Sequence, residues 1–382
     1  MPKCYIGRDK ARWALPRLIL RDRDNHPVAH FLRIGAAALP PMARFSAPAI
    51  GLSMFRQGPR EAPMRIVSRN NGRSASVTHD HIMATVMTLL RERQVTPRGG
   101  RLRVLDIGCG DGALVDHLQY ALAAALPGLA IEVHGFDIGE QGYNDGDQFD
   151  TAIGRLAARH PHIEWRERIS LQSDVEPWRY PSGFFDLAIS NQVLEHVDDL
   201  TTFLAELQRC LSPNGASVHV FPLSSCIVEA HCQTPFAHWI RDFDRRVDWI
   251  ELLSRLNIGS YRRHSNILGH SDRHDHAVQT AQYIQCWTRY RDFRTIADAC
   301  DAAALSVTSG LTKGLFIAKL RSLLRLAPPT GYRRSRLMGL DWLSFAIGRH
   351  LSSSTLVIRP ASYDIGRRIA AEKAARTMRE AA

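Results

Sequence analysis

The sequence predicts a doubly wound α/β sheet, and three stretches predict it. Residues 103–112 (RVLDIGCGDG) read as a buried strand running into a glycine turn. Residues 184–197 (FFDLAISNQVLEHV) read as a second apolar strand that ends in a polar turn. Residues 212–222 (SPNGASVHVFP) read as a turn after a helix, followed by a third apolar strand. Short apolar runs of this kind, separated by stretches of helical spacing, are expected of strands covered on both faces.

Taken in order, residues 1–75 are rich in Arg, Lys and Pro and weakly periodic, which predicts a basic, partly disordered extension. Met42, Met54 and Met64 are each compatible with an alternative start. Residues 76–93 place Ile82, Val86, Leu89 and Leu90 at helical spacing, so a helix is expected to open the main domain, residues 76–361. The first strand centres on Val104 and Leu105 and ends at Asp106. Gly108, Cys109, Gly110, Asp111 and Gly112 form the turn, and residues 113–126 the next helix. Strand, glycine turn and helix N-terminus together form the nucleotide-gripping corner of a Rossmann-like sheet.

The glycines do not name the ligand, because Gly108-x-Gly110-x-x-Ala113 also satisfies the dinucleotide pattern and leaves a nicotinamide oxidoreductase open. Charge separates the two. A pyrophosphate is repelled by acids, whereas a ligand carrying a sulfonium and an ammonium is drawn to them. Asp106 lies two residues before the first glycine, and Asp111 lies within the turn. At these residues the chain resembles the class I S-adenosylmethionine-dependent methyltransferases, whose first motif is a strand ending in D-x-G-x-G, and among them the type 11 methyltransferases. The resemblance implies a seven-stranded sheet with its last strand antiparallel.

Residues 131–138 are the second strand, ending in Asp137 and Ile138. An acid at this tip can accept both ribose hydroxyls, a device shared with nicotinamide enzymes. A longer connection follows, with a helix over residues 149–160, and then a third strand over residues 169–175. There the resemblance implies that Asp174 accepts from the adenine amine and that the Val175 N–H meets the ring. The fourth strand, residues 185–190, turns at Asn191 and Gln192, which the resemblance places under the methionine end together with Asp106, Gly108, Cys109 and Gly110. The strand lacks the N-P-P-Y or D-P-P-Y of amino-methylating enzymes that act on flipped bases, so a nucleic-acid acceptor is not expected. His196 is a candidate base or a pocket-shaping residue.

Residues 200–211 read as a helix, residues 216–222 as the fifth strand, residues 305–309 as the sixth and residues 354–359 as the last. Residues 223–292 and 311–351 are insertions. In the first, His231 and His238 accompany Pro235, Phe236 and Trp239, as in a lid over a sugar hydroxyl or a hydrophobic plug. An x-P-F-x-H-W string resembles methyltransferases of bacterial glycan and lipid-linked sugar synthesis, which adds His231 and His238 as candidate catalytic residues. Cys226, His231, Cys232 and His238, and separately His264, His270, His274 and His276, are ligands by type but not by spacing, so no metal site is expected. In the second insertion Phe316, Leu320, Leu323 and Leu324 alternate with Lys319, Arg321 and Arg325, a pattern for packing on the sheet or for peripheral contact with an anionic membrane. Residues 362–382 are expected to form a peripheral terminal helix.

A formal net charge of +11 is compatible with an acidic partner or with a basic proteome. The seven cysteines show no C-x-x-C, which fits a reducing compartment, and the chain is expected to be cytoplasmic. The combined reading is O-methylation from S-adenosyl-L-methionine, with a glycan or lipid-linked sugar as acceptor. A small metabolite or quinone-like lipid as acceptor, and a non-catalytic adaptor, are the alternatives; nothing in the pattern sets the oligomeric state.

Overall fold

The central strands are apolar on both faces, so both faces need a helical cover. The computed structural model describes residues 19–21, 27–29, 76–138, 146–173, 176–262, 272–333 and 338–363. Its sheet has seven strands: β1 (Arg101–Ile107), β2 (Ala130–Ile138), β3 (Ile169–Gln172), β4 (Phe185–Asn191), β5 (Leu211–Phe221), β6 (Leu305–Thr308) and β7 (Ser354–Pro360). Their order is β3-β2-β1-β4-β5-β7-β6. Only β7 runs antiparallel, pairing with β5 on one side and β6 on the other. Strand order reverses between β1 and β4, and the crevice at their carboxyl ends is where open α/β sheets take ligands.

The helices are α1 (Val77–Arg91), α2 (Ala113–Ala125), α3 (Gly146–Arg159), α4 (Trp165–Arg168), α5 (Leu200–Cys210), α6 (Phe243–Arg255), α7 (Arg273–Trp287), α8 (Phe293–Ala302), α9 (Thr312–Leu323) and α10 (Met338–Leu351). Alternation along β1 divides the core. Leu102 and Val104 join Ile82 and Val86 of α1, Leu118 of α2 and Leu315 of α9 on one face. Leu105 and Ile107 join Leu204 of α5 and Ile296 of α8 on the other. A third, smaller core unites α6 and α7 through Val247, Ile250, Ala277 and Ala281. It gives the first insertion its own packed subdomain beside the sheet.

Several expectations are refined. The third strand ends at Gln172, and Asp174 and Val175 lie outside the described residues. The fifth strand begins at Leu211, and the S-P-N-G turn survives as a break in register: Phe185 pairs with Leu211, and Leu187 already with Ala216. His274 and His276, expected in a solvated loop, lie on the first turns of α7. There His276 is buried against Tyr261 while His274 bonds Glu251. His264 and His270 lie outside the described residues. Of the N-terminal extension, Ile19–Arg21 and Pro27–Ala29 form an antiparallel pair. Of the predicted terminal helix, only residues 362 and 363 are described; with residue 361 they make a helical turn. The remainder lies outside the described residues.

Helix α1 is locked to β7 and to Tyr332 by a buried polar chain. His81 is fully buried, with Nδ1 2.7 Å from the Tyr332 hydroxyl and Nε2 2.8 Å from Thr355 Oγ1. The Tyr332 hydroxyl donates to the Gly314 carbonyl. Burial, and then the Lys319 charge, lower the His81 pKa to about 3, so the ring is neutral. Tyr332→Phe leaves a His81 N–H without a partner. The expected loss is about 1–3 kcal/mol of stability, or about 2–4 °C of Tm per kcal/mol. Scanning calorimetry checks it, and an unchanged melt refutes the role.

Candidate active site

The turn after β1 is built by backbone that side chains would obstruct. Gly108 and Gly110 adopt φ of 68° and 51°. A Cβ on Gly108 would stand 2.5 Å from Val193 Cγ2, so the glycine turn and the turn after β4 pack directly on each other. The N–H groups of Gly108 and Cys109 donate to the Phe136 carbonyl, which holds the loop against the end of β2. Asp137, at that end, accepts from the Gly110 N–H at 2.6 Å and from the Ile138 N–H at 2.7 Å. Burial raises its pKa to about 6 against the pull of those two donors.

Asp106 is buried at the carboxyl end of β1, and its Oδ2 has no partner. Burial, with the charges of Asp137 and Asp111, pushes its pKa well above the carboxylate range. Asp111 itself is taken: its Oδ1 accepts the Ala113 N–H at the start of α2, and Arg155 pairs with it at 3.3 Å. The cation-attracting character of the turn therefore rests on Asp106 and Asp137. Asn191 adds a second buried orphan acceptor, Oδ1. Gln192 adopts φ of 58° and sends its side-chain amide to Ser353 Oγ at 2.9 Å. Unpaired oxygens at Asp106 and Asn191 fit a ligand bearing an ammonium and a sulfonium, and do not fit a pyrophosphate. Cys109 contributes its backbone; its thiol pKa is raised by burial and lies against Gly135.

Beyond Val193 the chain delivers Glu195 and His196 to a second group of polar side chains. Arg291 clamps this segment, donating to the carbonyls of Leu194 at 3.2 Å and Val197 at 2.6 Å. His196 Nδ1 donates to the carbonyl of Trp287, the last residue of α7, at 2.7 Å. His196 Nε2 faces His231 Nε2 at 3.2 Å. His231 is held from behind by Glu229, whose Oε1 lies 2.7 Å from Nδ1. Glu229 is buried and also accepts from Tyr290 and from the N–H groups of His231 and Cys232. Burial works against its charge, but His231 and these donors hold its carboxyl well below the usual range. Conversely burial disfavours the His231 imidazolium, and Glu229 more than offsets it, leaving the pKa raised. Burial and the neighbouring His231 lower His196 to about 3.

The structure thus unites His196 with His231, 35 residues apart. His238 stands at the margin, its ring 4.7 Å from Tyr290 and its Nε2 3.3 Å from the Ser224 carbonyl. Cys226 and Cys232 do not converge with them as ligands; Cys226 Sγ turns to the Val228 carbonyl. Sequence reading missed Glu195 and Glu229. Glu195 is buried, both carboxylate oxygens lack a partner, and burial raises its pKa to about 7. Its adjacency to His196 in L-E-H was the available signal.

A doubly wound sheet with acids at its switch point defines a class of nucleoside-binding enzymes that prefer a cationic ligand. A family profile described as a methyltransferase domain matches residues 79–274. The chain belongs to this family, the class I S-adenosylmethionine-dependent methyltransferases, and S-adenosylmethionine is its cofactor. The ubiquinone biosynthesis O-methyltransferase of Bradyrhizobium diazoefficiens is 32% identical over 119 residues, covering 31% of this chain and 39% of that protein. The malonyl-[acyl-carrier protein] O-methyltransferase of Halorhodospira halophila is 29% identical over 141 residues, covering 37% of this chain and 40% of that protein. The chain thus spans less than half the length of these curated relatives. Among solved structures, the geranyl diphosphate C-methyltransferase of Streptomyces coelicolor A3(2) shares 13% identity, with 70% of this chain and 73% of that one covered and a TM-score of 0.34.

The Asp137 carboxylate can accept ribose hydroxyls only when ionised, so affinity for S-adenosylhomocysteine is expected to fall as pH drops through about 6. Asp137→Asn should weaken binding about 10–100-fold at pH 8, the value of a hydrogen bond to a charged group. Titration calorimetry reads both effects. Equal affinity in wild type and variant refutes the assignment.

Proposed function

We propose that the protein methylates a hydroxyl oxygen on a lipid-linked acceptor, a lipid-linked sugar first and a quinone-like lipid second. The observation that carries this reading is the Glu195–His196–His231 group, with Glu195 and His231 buried and His196 half-buried, joined to the cofactor turn through Val193 on Gly108. The named activities of the two O-methyltransferases above support oxygen as the methylated atom.

When bound, the cofactor supplies an electrophilic methyl group whose sulfur departs as a neutral thioether. Asp106 and Asn191 then orient the methionine end, Asp137 the ribose, and Asp174 with Val175 the adenine. The acceptor hydroxyl is directed at the unpaired oxygens of Glu195, with His196 and His231 bounding its position. His238 and Trp239 flank the approach. Positioning carries most of the rate, because the donor is already activated.

The lipid attachment is supported by the surface next to this site. Phe316, Leu320 and Leu323 of α9 and Trp342, Leu343 and Ile347 of α10 are exposed, Leu323 at 79% and Trp342 at 70%. Residues 311–351 contain eight Lys and Arg and one acid, Asp341. Apolar side chains among basic ones suit an anionic bilayer surface. No helix among the described residues is long and apolar enough to cross a membrane. The end of α10 is tied to the segment that carries His231: the Ile227 N–H donates to the His350 carbonyl, and His350 Nδ1 to the Ser225 carbonyl.

The test uses the full chain with methyl-labelled S-adenosylmethionine and a bacterial lipid extract. Alkali-stable label in the organic phase is expected, and Glu195→Gln should reduce its rate about 100-fold or more. Label only in water-soluble products refutes the lipid acceptor, and cofactor binding without transfer supports an adaptor. In parallel, the protein should co-sediment with phosphatidylglycerol vesicles at low salt and be released near 1 M salt, where screening acts within about 3 Å. A pool that stays in the supernatant at low salt refutes membrane contact.

A further inference from the structure

We propose that Glu195, His196 and His231 bind one divalent transition-metal cation, to which the acceptor hydroxyl is brought. The inference rests on reading this group as the acceptor site. A ligand oxygen or nitrogen from each residue lies within 4.8 Å of the others.

Three observations point to a cation. First, both histidines present the same nitrogen. His231 Nδ1 is committed to Glu229 at 2.7 Å, and His196 Nδ1 to the Trp287 carbonyl at 2.7 Å. Each Nε2 points into the group, toward the other ring. An imidazole whose other nitrogen donates to a carboxylate or carbonyl is the usual arrangement of a metal-bound histidine. Second, the two Nε2 atoms stand 3.2 Å apart. Two nitrogens each about 2.1 Å from one ion lie about 3.0–3.4 Å apart, the range between right-angled and tetrahedral coordination. Third, both oxygens of buried Glu195 lack any hydrogen-bond partner. A proton shared between the rings would explain the second observation but leave this carboxylate unsatisfied; a cation accounts for all three.

Two imidazoles and one carboxylate select zinc or another first-row transition ion over magnesium or calcium, which prefer all-oxygen sets. Three protein ligands leave a coordination position open, as in catalytic rather than structural sites. A cation there would lower the pKa of a hydroxyl bound to it; the hydroxyl proton would pass to solvent, the oxygen would form its bond to the cofactor methyl, and the broken carbon–sulfur bond would leave its electron pair on a neutral thioether. Glu229 is then a positioning residue that orients His231.

Chelator-treated full-length protein should bind one Zn2+ per chain in titration calorimetry, and Co2+ should give the visible absorption of a low-coordinate site. Glu229→Gln should lower Zn2+ affinity about 10–100-fold. His196→Gln and Glu195→Gln should lower it at least as much, with thermal melts confirming that each folds. Absence of stoichiometric binding, or binding unchanged in His196→Gln and Glu195→Gln, overturns the proposal. Transfer of labelled methyl groups by rigorously metal-free protein overturns the cation's role while leaving O-methylation intact. One bound Zn2+ without transfer to any hydroxyl supports the site and overturns O-methylation.

Discussion

The missing side chain at Gly108 sets the spacing on which both halves of the site depend. Any Cβ there would collide with Val193, so the cofactor turn after β1 and the turn after β4 can touch only because this residue is glycine. That contact joins two chemistries. On one side Asp106 and Asp137 await a cationic ligand. On the other, two and three residues past Val193, Glu195 and His196 meet the inserted subdomain. The sheet supplies the rigid frame: β1 and β4 pair in parallel from Val104–Leu187 to Ile107–Ser190, and neither end can shift without the other.

Burial gives the polar groups of the site their character, with opposite results at neighbouring carboxyls. Glu229 is buried but receives four donors, so it remains charged and holds the proton on His231 Nδ1. Glu195 is equally buried and receives none on its side chain. An unsatisfied buried carboxylate is costly unless it is protonated or met by a cation. The same contrast holds at the cofactor turn, where Asp111 is neutralised by Arg155 while Asp106 is left open. In both places the fold spends its donors on the carboxyl that orients and withholds them from the carboxyl that meets the ligand.

The two insertions divide the remaining work. Helices α6 and α7 have their own small core; α7 presents the Trp287 carbonyl to the site, and the segment after α7 presents Tyr290. Helix α9 buries Leu315 in the core beside the sheet and also buries Ala318, while α9 and α10 leave a basic, apolar outer surface. Two hydrogen bonds between His350 and residues 225–227 connect that surface with the loop bearing His231.

The sheet and the cofactor turn were legible in the sequence because they are local. A strand doubly buried by Val104, Leu105 and Ile107, a glycine turn and an acid at the tip of β2 each declare themselves within a few residues. The β5 turn was legible too, although as a break in register rather than a boundary. The acceptor group was legible only in fragments. His196 and His231 could be named as residue types, but 35 positions separate them, and no periodicity links a turn after β4 to a loop after β5. Glu195 passed as part of a family-like L-E-H, and Glu229 carried no pattern at all. The sequence by itself determined the class, since backbone geometry and local charge act over short chain distances. Which imidazole nitrogen faces which partner, and which carboxylate is left unpaired, only the tertiary structure decided, because burial and hydrogen bonding belong to contacts between distant segments.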